Sequence, residues 1–216
     1  MHINQNSNKI IYVIMKSLTH YIQEKLVIKK NKSTNYKYFP KSKKELKEII
    51  KNRIEYEGNE VDLNDIDTSN ITDMSGLFKW TDFNGDISEW DVSKVTDMQC
   101  MFYGCKNFNK DISSWEVSNV TNMYGMFYDC KKFNQDISNW NVSNVTNMEG
   151  MFYDCYEFNQ DISLWNVSNV TNMDGMFAIC KSFNKNISSW NVSNVTNYAD
   201  VFSSCQIKEK YKPKFK

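Results

Sequence analysis

A cysteine and an aspartate each recur at intervals of 25 residues, and these are the side chains whose types and spacing could do chemistry. The cysteines are Cys105, Cys130, Cys155, Cys180 and Cys205, and the aspartates are Asp86, Asp111, Asp136 and Asp161. Thiolates bind zinc or form disulfides, and carboxylates bind calcium or transfer protons. Each of these chemistries needs a defined set of partner groups.

The cysteine pattern favours buried thiols. Cys100 and Cys105 form a single Cys-x4-Cys pair, without the second pair that a zinc site would need. Cys100 stands where other repeats have glycine, and five cysteines at equivalent positions cannot all pair with one another. Cysteine at helical spacing behind a Met-Phe pair is typical of a small buried apolar residue. We therefore expect all six cysteines to be reduced.

The aspartates and histidines do not complete a metal site or an active site. Calcium needs roughly six to eight oxygen ligands and glycine-rich turns, which the repeat lacks. An aspartate that bonds backbone amides at a turn is the interpretation we prefer. His2 and His20 are the only histidines and have no accompanying acid or nucleophile cluster. We predict no enzymatic activity, no cofactor and no bound metal.

Six repeats of about 25 residues, the first of them incomplete, organise the chain between residues 63 and 205. One full unit runs from Phe133 to Glu157. Tryptophan recurs with the same period, at Trp90, Trp115, Trp140, Trp165 and Trp190. A unit of this length cannot bury its own apolar side chains, so successive units must stack, with identical residues aligned in ladders. We expect the tryptophans to form part of the core, although a row of them could also bind sugars.

Within one unit the spacing of apolar residues changes, which separates helical from extended segments. Met123, Met126, Phe127, Cys130 and Phe133 follow helical spacing and predict a short helical segment. The apolar residues of 137–145 are separated by Ser, Asn and Asp, which predicts one or two very short strands and a corner. The repeats are therefore predicted to belong to the α/β class.

The string Val-Ser-Asn-Val-Thr-Asn-Met-x-Gly-Met-Phe-x-x-Cys-x-x-Phe-Asn-x-Asp-Ile-Ser-x-Trp resembles the repeat of BspA-like leucine-rich-repeat surface proteins. That repeat is also known from mycoplasma lipoproteins as a domain of unknown function. The resemblance spans roughly Phe39 to Cys205. It implies a solenoid that binds other macromolecules without catalysis, commonly at a bacterial or host surface or in phage-encoded proteins. The predicted fold is a right-handed, leucine-rich-repeat-like α/β solenoid of about six coils with an N-terminal helical cap.

The segments outside the repeats have distinct patterns. Residues 36–62 predict a helical cap, with Ser42 as N-cap, Glu45 completing a capping box and Gly58 ending the helix. Residues 1–35 form an extension in which residues 14–26 predict an amphipathic helix. Residues 206–216 form a basic tail that we expect to be disordered or loosely packed.

The sequence offers no clear export signal. No cysteine precedes Cys100 to carry a lipid, and the apolar stretch Ile10 to Met15 is too short for a signal peptide or for a membrane span of roughly 20 residues. We expect a cytoplasmic or virion-associated protein rather than a secreted one. Met15 is an alternative first residue.

Positions that vary between otherwise similar repeats are candidates for partner binding, because packing does not dictate them. Tyr103, Tyr128 and Tyr153 follow successive Met-Phe pairs, and Tyr124 lies between two methionine positions. An exposed tyrosine row is typical of protein interfaces. The alternative, equally open at this point, is that the rings merely cover the edges of the coils.

These observations predict a non-enzymatic protein that presents a rigid repeat surface to a protein or glycan partner. The net charge of zero hides an asymmetry: residues 1–60 carry 13 basic and 6 acidic residues, residues 61–205 carry 8 and 19, and residues 206–216 carry 5 and 1. Nucleic acid is therefore not expected at the repeats, although the basic N-terminal segment keeps it as an alternative. A further alternative is a structural component that assembles end to end, as opposed to a monomer.

Overall fold

The computed structural model of the chain describes residues 35–216. The amphipathic helix predicted within residues 14–26 lies outside that part. Within that part, residues Tyr36–Lys216 form one compact unit.

A helix, which we call α1, lies within the segment 36–62 that the sequence predicts as a cap. It spans Lys43–Glu57, and the hydroxyl of Ser42 accepts a hydrogen bond from the Glu45 amide at its start. The Glu45 carboxylate accepts in return from the amide of Lys41, at 2.8 Å, one residue before the position expected for a capping box. Gly58 ends the helix with a φ of 88° and donates its amide to the Ile54 carbonyl.

Helix α1 packs against the beginning of the repeats. Leu46 and Ile50 are buried in the apolar cluster that continues through the repeats. Lys43 Nζ binds the Asp73 carboxylate at 3.1 Å, and Arg53 Nη1 binds Asp65 at 2.8 Å. The apolar face and these ion pairs together hold the helix on the first repeat.

The repeats are joined to one another by parallel β-bridges of single residues. Among residues 35–216 there is no longer strand, and besides α1 the only other helix is the 3₁₀ turn Glu209–Tyr211. The main column of bridges joins equivalent residues of successive repeats, Asp73, Asp97, Asn122, Asn147, Asn172 and Asn197. The segment before α1 adds a further parallel bridge, between Tyr38 and Ile66.

The prediction of a helical segment in each repeat is wrong, because the corresponding residues form a run of overlapping turns. The amide of Met126 donates to the Met123 carbonyl, three residues back, rather than forming an α-helical bond. The amides of Met123 and Gly125 instead point along the stack and donate to the Asn147 and Glu149 carbonyls of the next repeat. Alternate peptide groups therefore bond within the repeat and between repeats, which an α-helix cannot do.

Ladders of identical residues form the core, as the 25-residue period predicts. Phe108 stacks on Phe133 at 6.0 Å, and Trp115 on Trp140 at 6.4 Å with rings 2° from parallel. The five ladder tryptophans are at most 6% exposed. Each indole N–H donates to a carbonyl of the preceding repeat, as Trp140 Nε1 does to Ile112 at 3.2 Å. The buried indole N–H is thus satisfied, which keeps these rings in the core.

The C-terminal tail is packed, and our expectation of a disordered or loose tail is wrong. Ile207 is buried in the core cluster, with Tyr211 and Phe215 packed against it. The Tyr211 carbonyl accepts the Ile187 amide at 3.0 Å, and Phe215 stacks on Tyr198 at 4.6 Å. The tail covers apolar surface that the last repeat would otherwise expose, which is how the ends of repeat stacks are protected.

Candidate functional site

Three of the four candidate tyrosines form one column on the surface of the stack. Tyr103 and Tyr128 stack with ring centres 4.3 Å apart and rings 3° from parallel, and Tyr128 and Tyr153 repeat this geometry. All three are partly exposed. We call this set the tyrosine column. Each ring covers the face of its neighbour, so the column presents ring edges and hydroxyls to solvent.

Two residues of the first repeat extend the tyrosine column. Lys79 occupies the position equivalent to Tyr103, and its ammonium group lies 4.8 Å from the Tyr103 ring centre, in a cation–π contact. Trp80 packs edge-on against Tyr103 at 5.0 Å, and its side chain is 62% exposed. The tyrosine column therefore ends in an exposed indole. Sequence reasoning missed Trp80 because its repeat is incomplete, although register with Gly104, 24 residues later, would have placed it.

Glycines of the following repeats make room for the tyrosine column. A Cβ built on Gly125 would lie 3.3 Å from the Tyr103 ring, and one on Gly150 would lie 3.3 Å from the Tyr128 ring. The first repeat has Lys79 at the tyrosine position. The repeat that follows it correspondingly has Cys100 at the glycine position. A flat ring in one repeat is thus matched to a missing side chain in the next.

The environment of the tyrosine column keeps its central hydroxyl protonated. Burial, followed by the neighbouring phenols of Tyr103 and Tyr153, raises the pKa of Tyr128 above its ordinary value. The phenol is therefore neutral at physiological pH and serves as both donor and acceptor. The neutral Tyr128 hydroxyl at the centre of the column suits hydrogen bonding to a partner.

Charged side chains lie next to the tyrosine column. Lys131 Nζ binds Asp129 at 3.0 Å and also the carboxylate of Asp154 in the next repeat. Lys106 approaches Asp129 at 4.0 Å. These pairs are partly exposed and neutralise one another, so they frame the column without giving it a strong net charge.

Tyr124 lies apart from the tyrosine column. It shares a position with Gln99 in the preceding repeat and Glu149 in the next, and it is partly exposed. Burial, then the nearby Cys100 thiol, raises the pKa of its phenol. Its neighbours along the stack are not aromatic, so no second row forms.

The recurring cysteines form a ladder of free thiols, of which Cys105, Cys130, Cys155 and Cys180 are buried and Cys205 is half-buried. Cys130 Sγ donates to the Phe102 carbonyl at 3.0 Å, and the Cys155 thiol donates likewise to Phe127 at 2.8 Å. Burial raises the pKa of Cys105 to about 12, and it raises the pKa values of Cys130 and Cys155 well above the ordinary range. Thiols held in this state bond a backbone carbonyl and are poor nucleophiles.

The recurring aspartates bond backbone amides at turns. The Asp136 carboxylate accepts from the Ser138 amide at 2.9 Å, a bond that lowers the pKa of this carboxyl. Within residues 35–216, no three His, Cys, Asp or Glu side chains come together to hold a metal ion. In the same range, no helix is long and apolar enough to cross a bilayer.

A comparison with family models places the repeats in a known group. The model described as "Mycoplasma protein of unknown function, DUF285" matches residues 44–160 and 115–213. The two overlapping matches together take in α1 and all the repeats. No curated protein matches the chain, and no solved structure does.

Proposed function

The chain belongs to the DUF285 family of mycoplasma proteins of unknown function, and from this premise we propose that it is a non-enzymatic protein-binding module. The tyrosine column, extended by Trp80, is the surface that contacts the partner. The observation that carries this proposal is the run of aligned, partly exposed aromatic rings from Trp80 to Tyr153.

The chemistry of the column supports binding without catalysis. Trp and Tyr are the residue types most enriched among those that dominate binding energy at protein interfaces. Mutual stacking holds the rings in place before a partner arrives, so little side-chain entropy is lost on binding. Burial raises the pKa of the nearby Cys130 thiol and of the Tyr128 phenol, so both stay protonated and neither is an activated nucleophile.

A protein partner fits the column better than a glycan does. Sugars stack on the faces of aromatic rings, and the faces of Tyr103, Tyr128 and Tyr153 cover one another at 4.3 Å. Within the column, only Trp80 offers a largely exposed ring to a sugar. A protein surface can use ring edges, hydroxyls and the flanking charges together.

The test compares capture of binding partners from the native host by the wild type and by two variants. We expect Tyr128→Ala with Tyr153→Ala to fold, as seen by circular dichroism, and to lose the proteins that the wild type retains. Leu164→Ala is the matched control, because Leu164 is 90% exposed and lies outside the column. If the double variant retains the same proteins as the wild type, the binding surface lies outside the tyrosine column.

We also propose that the stacked repeats are a right-handed, leucine-rich-repeat-like α/β solenoid of the BspA-like kind. The column of parallel bridges and the single helix α1 at its start support this proposal. An experimental structure would test it, since a left-handed path of the chain between repeats would contradict it.

A further inference from the structure

The last repeat ends in a row of backbone amides that have no acceptor among the described residues. In the preceding repeat, the amides of Met173, Gly175, Phe177 and Ile179 donate to carbonyls of the last repeat at 2.8–2.9 Å. The equivalent amides of the last repeat belong to Tyr198, Asp200, Phe202 and Ser204, and none of them donates a hydrogen bond within residues 35–216. We call these four N–H groups the donor row.

The donor row holds donors without acceptors among the described residues, and Tyr198, Asp200 and Ser204 are exposed while Phe202 is half-buried. The carbonyls that alternate with its amides, those of Asn197, Ala199, Val201 and Ser203, accept bonds from the preceding repeat. Peptide groups aligned in this way place partial positive charge where the N–H groups end, as at a helix N-terminus. The row therefore attracts groups that only accept hydrogen bonds.

Lysines lie at the same end of the stack as the donor row, and Lys212 Nζ sits 5.6 Å from the ring centre of Phe202, one of its residues. The tail crosses the end of the last repeat and supplies five lysines against one glutamate over residues 206–216. Four of them, Lys210, Lys212, Lys214 and Lys216, line a cavity of about 720 Å³ between the tail and residues 188–193. Lys181 also reaches this end and donates to the Ser204 carbonyl at 3.2 Å. Glu209 pairs with Lys212 at 2.7 Å and Asp200 belongs to the row, but the lysines outnumber these two carboxylates, so this end keeps an excess of positive charge.

We propose that the donor row and the lysines at this end of the stack bind an extended acidic polypeptide segment. The row already has the spacing of such a ligand, because each equivalent row inside the stack pairs with carbonyls of alternate residues. The carbonyls of the segment accept from the row, and its carboxylates pair with the lysines. This is a form of strand addition at an open edge.

Two other occupants fit less well. A second copy cannot use the same end, because two donor rows have no acceptors to exchange. The complementary carbonyls at the first repeat lie beside α1, whose Lys43 and Lys47 bind Asp73 and the Gly76 carbonyl there. Nucleic acid would extend along repeats that carry 19 acidic and 8 basic residues, which repel phosphate.

The test measures binding of a fluorescein-labelled peptide of alternating Glu and Thr to the full chain at low salt. We expect binding that is lost when Gln replaces Glu and that exceeds binding of oligothymidylate of matched length. Lys210→Gln with Lys214→Gln should weaken binding about fivefold, whereas Lys94→Gln with Lys132→Gln, the same change of charge elsewhere, should not. Equal binding of the Gln peptide, or tighter binding of the oligonucleotide, would overturn the proposal.

Amide hydrogen exchange locates the contact. The amides of Tyr198, Asp200, Phe202 and Ser204 should exchange fast in the free protein and at least about tenfold more slowly with the peptide. Asp200→Asn removes a like charge from the row at a φ of 52° that Asn tolerates, and it should tighten binding about twofold. Unchanged exchange rates at the four amides would refute the proposal, and this result does not depend on whether the tyrosine column binds a partner.

Discussion

The indole ring of Trp80 lies directly against the backbone of Gly104 in the next repeat. A Cβ at Gly104 would be 2.3 Å from an indole carbon, closer than real contacts allow, and Gly104 also has a φ of +76°. The tyrosine column shows the same relationship more loosely, since a Cβ at Gly150 would lie 3.3 Å from the Tyr128 ring. Residues that vary between repeats are therefore coupled to residues of the following repeat.

Replacing Gly104 with alanine should displace Trp80. We expect the free energy of unfolding to fall by about 2–4 kcal/mol, since a steric clash adds to the cost of a positive φ. Urea unfolding measures this change, and a shift in tryptophan emission should accompany it.

Gly76→Ala is the matched control for the clash. Gly76 has a φ of +61°, and a Cβ there would meet only Lys79 Cβ at an ordinary 3.9 Å, so only the backbone cost of about 1 kcal/mol applies. Combining Gly104→Ala with Trp80→Ala should restore part of the loss. An equal loss in the presence and absence of the indole would contradict the contact.

Asn134 belongs to a ladder of amides that bond across repeats. Its Oδ1 accepts from the Asn159 amide at 2.9 Å and from Gln160 Nε2 at 3.0 Å. Asn134→Ala should cost about 1–3 kcal/mol, because the Asn159 amide loses its partner. Asn134→Asp keeps the acceptor and should cost less than half as much. If chemical denaturation shows the same loss of unfolding free energy for both variants, the Asn134 acceptor does not contribute to stability.

Removal of residues 207–216 should destabilise the stack and promote aggregation. The deletion strips Ile207, Tyr211 and Phe215 from the core and exposes apolar surface of the last repeat. Light scattering and thermal melting measure the effect. The control keeps the tail but replaces Lys208 and Lys210, which are exposed, with Gln. A truncated chain that stays monomeric with an unchanged melting temperature would mean that the tail is dispensable.

The buried thiols should make the protein sensitive to alkali. Cys105, with a pKa of about 12, and Cys130 and Cys155, also raised by burial, keep their protons when folded at a pH where the unfolded chain has lost them. The unfolded state then binds fewer protons, so the free energy of unfolding falls as pH rises from about 9 towards 12. Below about pH 8 these thiols add no pH dependence.

Urea unfolding at pH 8 and pH 10 checks the alkaline effect. Each buried thiol should lower the free energy of unfolding by about 1–2 kcal/mol in all between these two pH values, because the slope approaches about 1.4 kcal/mol per pH unit only above the pKa of the unfolded thiol. Cys130→Ala removes one such group, so its stability should fall less between the two pH values than that of the wild type. Identical pH dependence in both proteins would assign the effect to other groups.

The sequence by itself determined the repeat, its core ladders and the beginning of the first helix. A strict 25-residue period admits few arrangements other than stacking, because a short unit cannot bury its Trp, Phe and Met side chains alone. The Ser42–Glu45 capping signal is local, so neighbouring residues suffice to place the start of α1. Local spacing alone gave the wrong prediction for Met123 to Phe133, where apolar residues at helical spacing belong to a series of turns.

Only the tertiary structure decided how alternate peptide groups are used and what the surface presents. Whether an amide bonds within its repeat or to the next depends on where the next repeat lies, which local sequence does not state. The stacking of Tyr103, Tyr128 and Tyr153 and the closeness of Trp80 to Gly104 likewise arise between residues 24 or 25 positions apart. The packed tail has the same origin, because Ile207 and Phe215 find their apolar partners only once the last repeat has formed.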